Sequence, residues 1–133
     1  MGFEWNTFYL NFETKMKAAY PGCTVGRYVT PKKTKFPYVD VTLGDNTGGD
    51  YELSGNEGSQ HPLIVISVYN TGSAADGICN DISQKAKKIM LSYGFQCCGG
   101  PVPVVNATDP NISRWVGRYQ RLFGSEDVLK EIK

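Results

Sequence analysis

Leu63-Ile64-Val65-Ile66-Ser67-Val68-Tyr69, followed after a short turn by Ser73-Ala74-Ala75-Asp76-Gly77-Ile78-Cys79, is the stretch that decides the fold class of this chain. The first part is a nearly continuous β-branched run, the composition of a central strand covered on both faces. The second part opens a helix. Ala75, Ile78, Cys79, Ile82, Ala86, Ile89, Met90 and Tyr93 recur at three- and four-residue spacing and lay one apolar stripe along it. Ser73 is placed to cap its N-terminus, with Asp76 three residues on as a capping-box partner. Early acids (Asp76, Asp81) and late bases (Lys85, Lys87, Lys88) match the helix dipole, and Gly94 supplies the left-handed stop.

Outward from this strand–helix unit, the N-terminal segment carries a second helical stripe. Trp5, Phe8, Tyr9, Phe12, Met16, Ala19 and Tyr20 share a face that ends at Pro21-Gly22. So aromatic a stripe needs a broad partner such as a sheet. A short strand is expected at Thr24 to Val29 and a clearer one at Tyr38 to Leu43, where Val39, Val41 and Leu43 alternate with Tyr38, Asp40 and Thr42. The two are expected to pair as a hairpin around a turn holding Lys32, Lys33 and Lys35. That tip reads either as a solvated turn or as a contact for acidic protein or phosphate.

C-terminal to the second helix, Phe95 to Gly100 reads as a turn. Pro101 to Val105 reads as an edge strand, because proline cannot donate to a ladder. Asn106 to Asn111 reads as another turn. The strand Ile112 to Phe123 sets Trp115, Tyr119, Arg121 and Phe123 on one face and Arg114, Val116, Arg118, Gln120 and Leu122 on the other. The expected fold is α+β: a mostly antiparallel sheet of four to five strands with two amphipathic helices packed on one face. One domain spans residues 1–124, and the tail 125–133 carries Val128, Leu129 and Ile132 as a short clip that could dock on a neighbour. It is too short to hold a helix alone.

One segment resists a core reading. Gly44 to Gln60 holds five glycines and the acids Asp45, Asp50, Glu52 and Glu57, without a single base. It cannot bury enough apolar surface to stay compact, and it reads as a projecting acidic loop that orders against something else. The acids do not fall at calcium-loop positions.

Composition narrows the partners. With 133 residues, 41% hydrophobic and 20% charged, the chain is of ordinary globular make-up. Its net charge of +1 argues against a dominant electrostatic partner such as nucleic acid. No signal-peptide pattern opens the chain, and no apolar run reaches the roughly 20 residues of a membrane span. The cysteines (Cys23, Cys79, Cys97, Cys98) lack C-x-x-C spacing and the lone histidine is His61, so neither a zinc cage nor any other metal or cofactor site is expected. No phosphate loop, nucleophile elbow or zinc-protease signature occurs, and no nucleophile is set beside a base. The expectation is a non-catalytic protein that works through its surfaces.

The order of residues resembles the tail terminator (tail completion) proteins of long-tailed bacteriophages and prophages, especially of Gram-positive hosts. The resemblance runs through an N-terminal amphipathic helix and Pro37-Tyr38-Val39-Asp40-Val41 leading into Leu43-Gly44-Asp45-Asn46. It continues through the acidic loop ending at Glu57, the strand Ile64 to Tyr69 and the helix closing on Gly94-Phe95. It ends with the Pro103, Asn106, Asp109 turn and Arg114-Trp115-Val116-Gly117-Arg118-Tyr119. The resemblance implies a virion protein, assembled in the host cytoplasm and resident in the tail neck. Such a protein forms a homo-oligomeric, hexameric ring on the last ring of tail tube protein, ends tube growth and presents the docking surface for the head-closure or connector protein. Genomic DNA passes through its lumen without sequence-specific binding. Asp45, Asn46, Asp50, Glu52 and Glu57 are then candidates for lumen or tube contacts, and Arg114, Arg118 and Tyr119 for subunit contacts. An equal alternative makes Trp115 and Tyr119 core and the arginines solvated. A head-closure adaptor of the neck and a small ligand-binding domain remain as other functional readings.

Overall fold

The computed structural model describes residues 4–27, 36–48, 59–105, 111–121 and 123–124, giving the backbone path alone for 45–48, 59–60 and 123–124. In chain order these form α1 (Trp5–Ala19), β1 (Thr24–Gly26), β2 (Tyr38–Gly48), β3 (Ser59–Asn70), α2 (Ala75–Ser92), β4 (Gln96–Val104), β5 (Ser113–Gln120) and the short β6 (Phe123–Gly124). The sheet order is β1-β2-β3-β5-β4, with β6 continuing the line of β5 against the start of β3. All pairings are antiparallel except β1 with β2. The fold is α+β, with the helices packed on one face of the sheet, as the sequence leads one to expect.

Alternation along the strands builds the core. On the helix side, Val39 stands opposite Val68, Val41 opposite Ile66 and Leu43 opposite Ile64. Across the next ladder, Ile64 meets Tyr119, Ile66 meets Gly117 and Val68 meets Trp115. Phe8, Tyr9, Phe12 and Met16 of α1 and Cys79, Ile82, Ala86, Ile89 and Met90 of α2 close over these residues in one cluster. Phe8 ties the parts together: its ring lies 6.1 Å from Phe12, 6.0 Å from Tyr93 and 5.5 Å from Phe95. These centroid spacings are typical of favourable aromatic pairs.

Helix ends explain the turns. The Gly94 N–H donates to the Leu91 carbonyl and the Phe95 N–H to the Met90 carbonyl, with Gly94 at φ +82°. This is a Schellman stop, and it folds Phe95 back into the core. The N-terminus of α2 differs from expectation. Its capping position is Ala74, whose methyl cannot cap, and Asp76 is engaged elsewhere: its carboxylate accepts a 2.7 Å hydrogen bond from the Trp115 indole N–H. That bond pins the start of the helix to β5.

Three other expectations are corrected. β1 does not form a hairpin with β2; it is three residues long and runs parallel to it, Thr24 opposite Tyr38. The segment Gln96–Gly100 is strand and not turn, since Gln96 and Cys97 pair with Gln120 and Tyr119, and the irregular register beyond them takes up the glycines. The acidic loop is shorter than Gly44 to Gln60: β2 runs on to Gly48 and β3 begins at Ser59, past a bulge between Leu43 and Asp45. Backbone pairing needs no apolar side chains, so glycine-rich composition did not end the strands. The lysine turn, the Asn106-centred turn and the tail 125–133 lie outside the described residues.

Candidate interaction surface

The sheet face away from the helices carries the candidate residues, and its order follows from the same two-residue alternation. Tyr38, Tyr69 and Arg114 form one cross-strand row; Asp40, Ser67 and Val116 form the next; Thr42, Val65 and Arg118 form the third. Among the described residues no helix covers this face, yet part of it is dry. Tyr38, Asp40, Ser67, Tyr69 and Val116 are all buried, whereas Thr42 and Val65 are half-buried and Arg118 is exposed.

Arg114 organises the first row. Its guanidinium carbon sits 5.7 Å from the centre of the Tyr69 ring, a cation–π contact, and the Tyr69 ring is 6.3 Å from that of Tyr38. One terminal nitrogen reaches the Ser67 hydroxyl at 3.5 Å, a long contact. The buried Nε–H has no acceptor, and no carboxylate pairs with Arg114 among the described residues. Asp40 accepts a 2.7 Å hydrogen bond from the Thr42 hydroxyl. Burial, reinforced by the negative charge of Asp40, pushes the Tyr38 phenol up to about 12, so it is neutral at ordinary pH.

The remaining candidates divide sharply. Arg118 shares the face of Arg114 and is exposed. Tyr119 is on the helix side, 1% exposed, with its ring lying over Gly117 and its phenol raised by burial. It is a core residue, and a neighbour cannot reach it without unfolding the sheet. Asp45 and Asn46 fall on the β2–β3 arm opposite Leu63 and Pro62. Asp50, Glu52 and Glu57 lie outside the described residues. Sequence reasoning missed Tyr38, Asp40 and Tyr69 as part of this surface. Their alternation was visible, but it does not reveal that the polar side of a strand is buried.

At the end of the sheet where β5 begins, a cavity of about 490 Å³ is lined by Pro103, Val104, Val105 and Ile112 with Asp76, Ser113 and Arg114. Val102, Val104 and Val105 are exposed there, Val105 at 81%. At the opposite end, His61 lines a smaller hollow with Gln96, Gln120 and Arg121, whose guanidinium donates to the Tyr93 carbonyl at 2.6 Å. Among the described residues no three His, Cys, Asp or Glu side chains converge as metal ligands. No described helix is long and apolar enough to cross a membrane. All four cysteines are free thiols. No protein-family model matches the chain, and no curated protein matches it.

Proposed function

We propose that this protein is a ring-forming structural subunit that caps the tail tube of a long-tailed bacteriophage, ends its growth and offers the surface on which the head connector docks. The observation that carries the reading is the β2–β3 arm. Its strands of 11 and 12 residues outrun the eight-residue ladder shared by β3 and β5. At about 3.3 Å per residue, a strand of that length spans roughly 36 Å against roughly 26 Å for the ladder. Beyond that ladder, among the described residues, only the two residues of β6 flank the arm, whose strands lead into the acidic, base-free segment 49–58. In a ring the arms of successive subunits converge, and a lining of carboxylates repels phosphates and lets DNA slide. Exposed Arg118, on the sheet face that no described helix covers, supplies the other half of the subunit contact. The role is structural and not catalytic, with the tube protein on one side and the head-closure protein on the other.

Electron microscopy of particles from a phage lacking this gene tests the reading. Over-long tails beside unattached heads are the expected outcome. Tails of normal length beside unattached heads would assign the protein to the head side of the neck, and normal virions would overturn the assignment. Replacing residues 49–58 with a two-residue turn, while keeping both strands, should abolish termination. Terminated tails from that variant would remove the acidic segment 49–58 from the mechanism.

A further inference from the structure

We propose that the cavity at the start of β5 is the seat for the C-terminal segment, residues 125–133, of a second copy of this chain. The inference deepens the ring reading and rests on it for the identity of the neighbour. Two complementary surfaces motivate it. The cavity has an apolar wall of Pro103, Val104, Val105 and Ile112, and its polar lining carries both signs of charge, Asp76 and Arg114. The segment Ser125-Glu126-Asp127-Val128-Leu129-Lys130-Glu131-Ile132-Lys133 offers three aliphatic side chains that share one stripe at helical spacing, bordered by acids. Apolar residues fill the wall, while the acids of the segment meet Arg114 and its lysines meet Asp76.

Reach decides that the occupant comes from another molecule. Gly124 stands opposite Ser59, at the start of β3, and Arg114 stands opposite Tyr69, near its end. Ten residues of strand, about 33 Å, separate the two levels. Ile132 lies eight residues beyond Gly124, which is at most about 29 Å of fully extended chain. As a helix the same stretch covers only about 12 Å. Val128 and Leu129 fall shorter still, so the segment cannot place its apolar stripe in its own cavity. Donor and seat at opposite ends of the sheet make a heterologous contact, the type that generates rings.

The test uses the full-length chain at low concentration and a fluorescein-labelled synthetic peptide of residues 125–133, read by fluorescence anisotropy. Saturable binding is expected. It should weaken roughly tenfold or more in Arg114→Glu, through loss of a charged hydrogen bond and gain of repulsion. Val105→Asp, at a position too exposed to affect folding, should weaken it as well. An absence of saturable binding, or binding indifferent to both substitutions, overturns the proposal. The two readings fail separately. Over-long tails in the gene deletion with no peptide binding would remove the seat and leave the cap. Peptide binding with normal virions would leave the seat and remove the cap.

Discussion

β3 presents two faces built to different rules. Toward the helices it offers Ile64, Ile66 and Val68, all but fully buried in an apolar cluster. On the other side it offers Val65, Ser67 and Tyr69 among Thr42, Asp40, Tyr38 and Arg114, joined by hydroxyl contacts and ring stacking. Apolar burial is non-directional and sets stability. The polar face gains little net energy, because each hydrogen bond there replaces one to water. What it gains is a defined arrangement of donors and acceptors.

Substitutions on the two faces should therefore separate in size. The largest effect is expected from Phe12→Ala, which empties a fully buried ring position and should cost about 3–5 kcal/mol in denaturant unfolding. A cost under about 1 kcal/mol would break the comparison, since it would mean that the helix side is no tighter than the other. Next comes Gly117→Ala, where the new methyl would sit 2.6 Å from the Tyr119 hydroxyl; overpacking should cost about 1–3 kcal/mol by the same measurement.

The third prediction links the faces through pH. Tyr38 on the polar side and Tyr119 on the apolar side are both raised by burial, so the folded chain favours their neutral forms. Stability from this source is fully present below the ordinary phenol value near 10 and is lost as pH rises toward about 12, where Tyr38 ionises. Ultraviolet titration of tyrosinate should find both phenols ionising later than an exposed tyrosine, together with loss of fold. Normal titration of Tyr38 would show that its face is wet.

Arg114→Met should change stability by less than about 1 kcal/mol, because the lost ring contact is offset by removal of a buried donor without an acceptor. Thermal unfolding of that variant, set beside its peptide affinity, sharpens the contrast between folding and recognition. The smallest effect is chemical. Exposed Cys98 should react with a thiol reagent well before Cys79, whose thiol is buried and pushed up to about 12. Fast labelling of Cys79 would mean that α2 opens readily from the sheet.

Much of this architecture is legible in the sequence because apolar periodicity is local. The stripes of α1 and α2, the β-branched run of β3 and the alternation of Arg114, Val116 and Arg118 each read correctly without tertiary context. What periodicity omits is pairing. Nothing in Thr24–Gly26 announces a parallel partner, and the glycines of Gln96–Gly100 hide a ladder that uses backbone alone. Asp76 looks like a capping residue until the indole of Trp115, 39 positions away, takes its carboxylate. The candidate surface was half visible. Alternation places Arg114 and Arg118 together, but it cannot say which face the helices will cover, and that choice turned Tyr119 from contact to core.

The uneven cover on β2 has a consequence for how copies of the chain behave toward one another. β1 pairs only with Tyr38–Asp40, so among the described residues the outer flank of Val41–Gly48 has no strand beside it. A long unpaired edge is a template on which other chains can polymerise without register or stop. Here the edge is interrupted by a bulge between Leu43 and Asp45 and ends in glycine and acidic residues. Bulges twist an edge away from flat stacking, and like charges keep identical edges apart. The bulge, glycines and acids of this edge therefore also work against indiscriminate strand addition between copies of the chain.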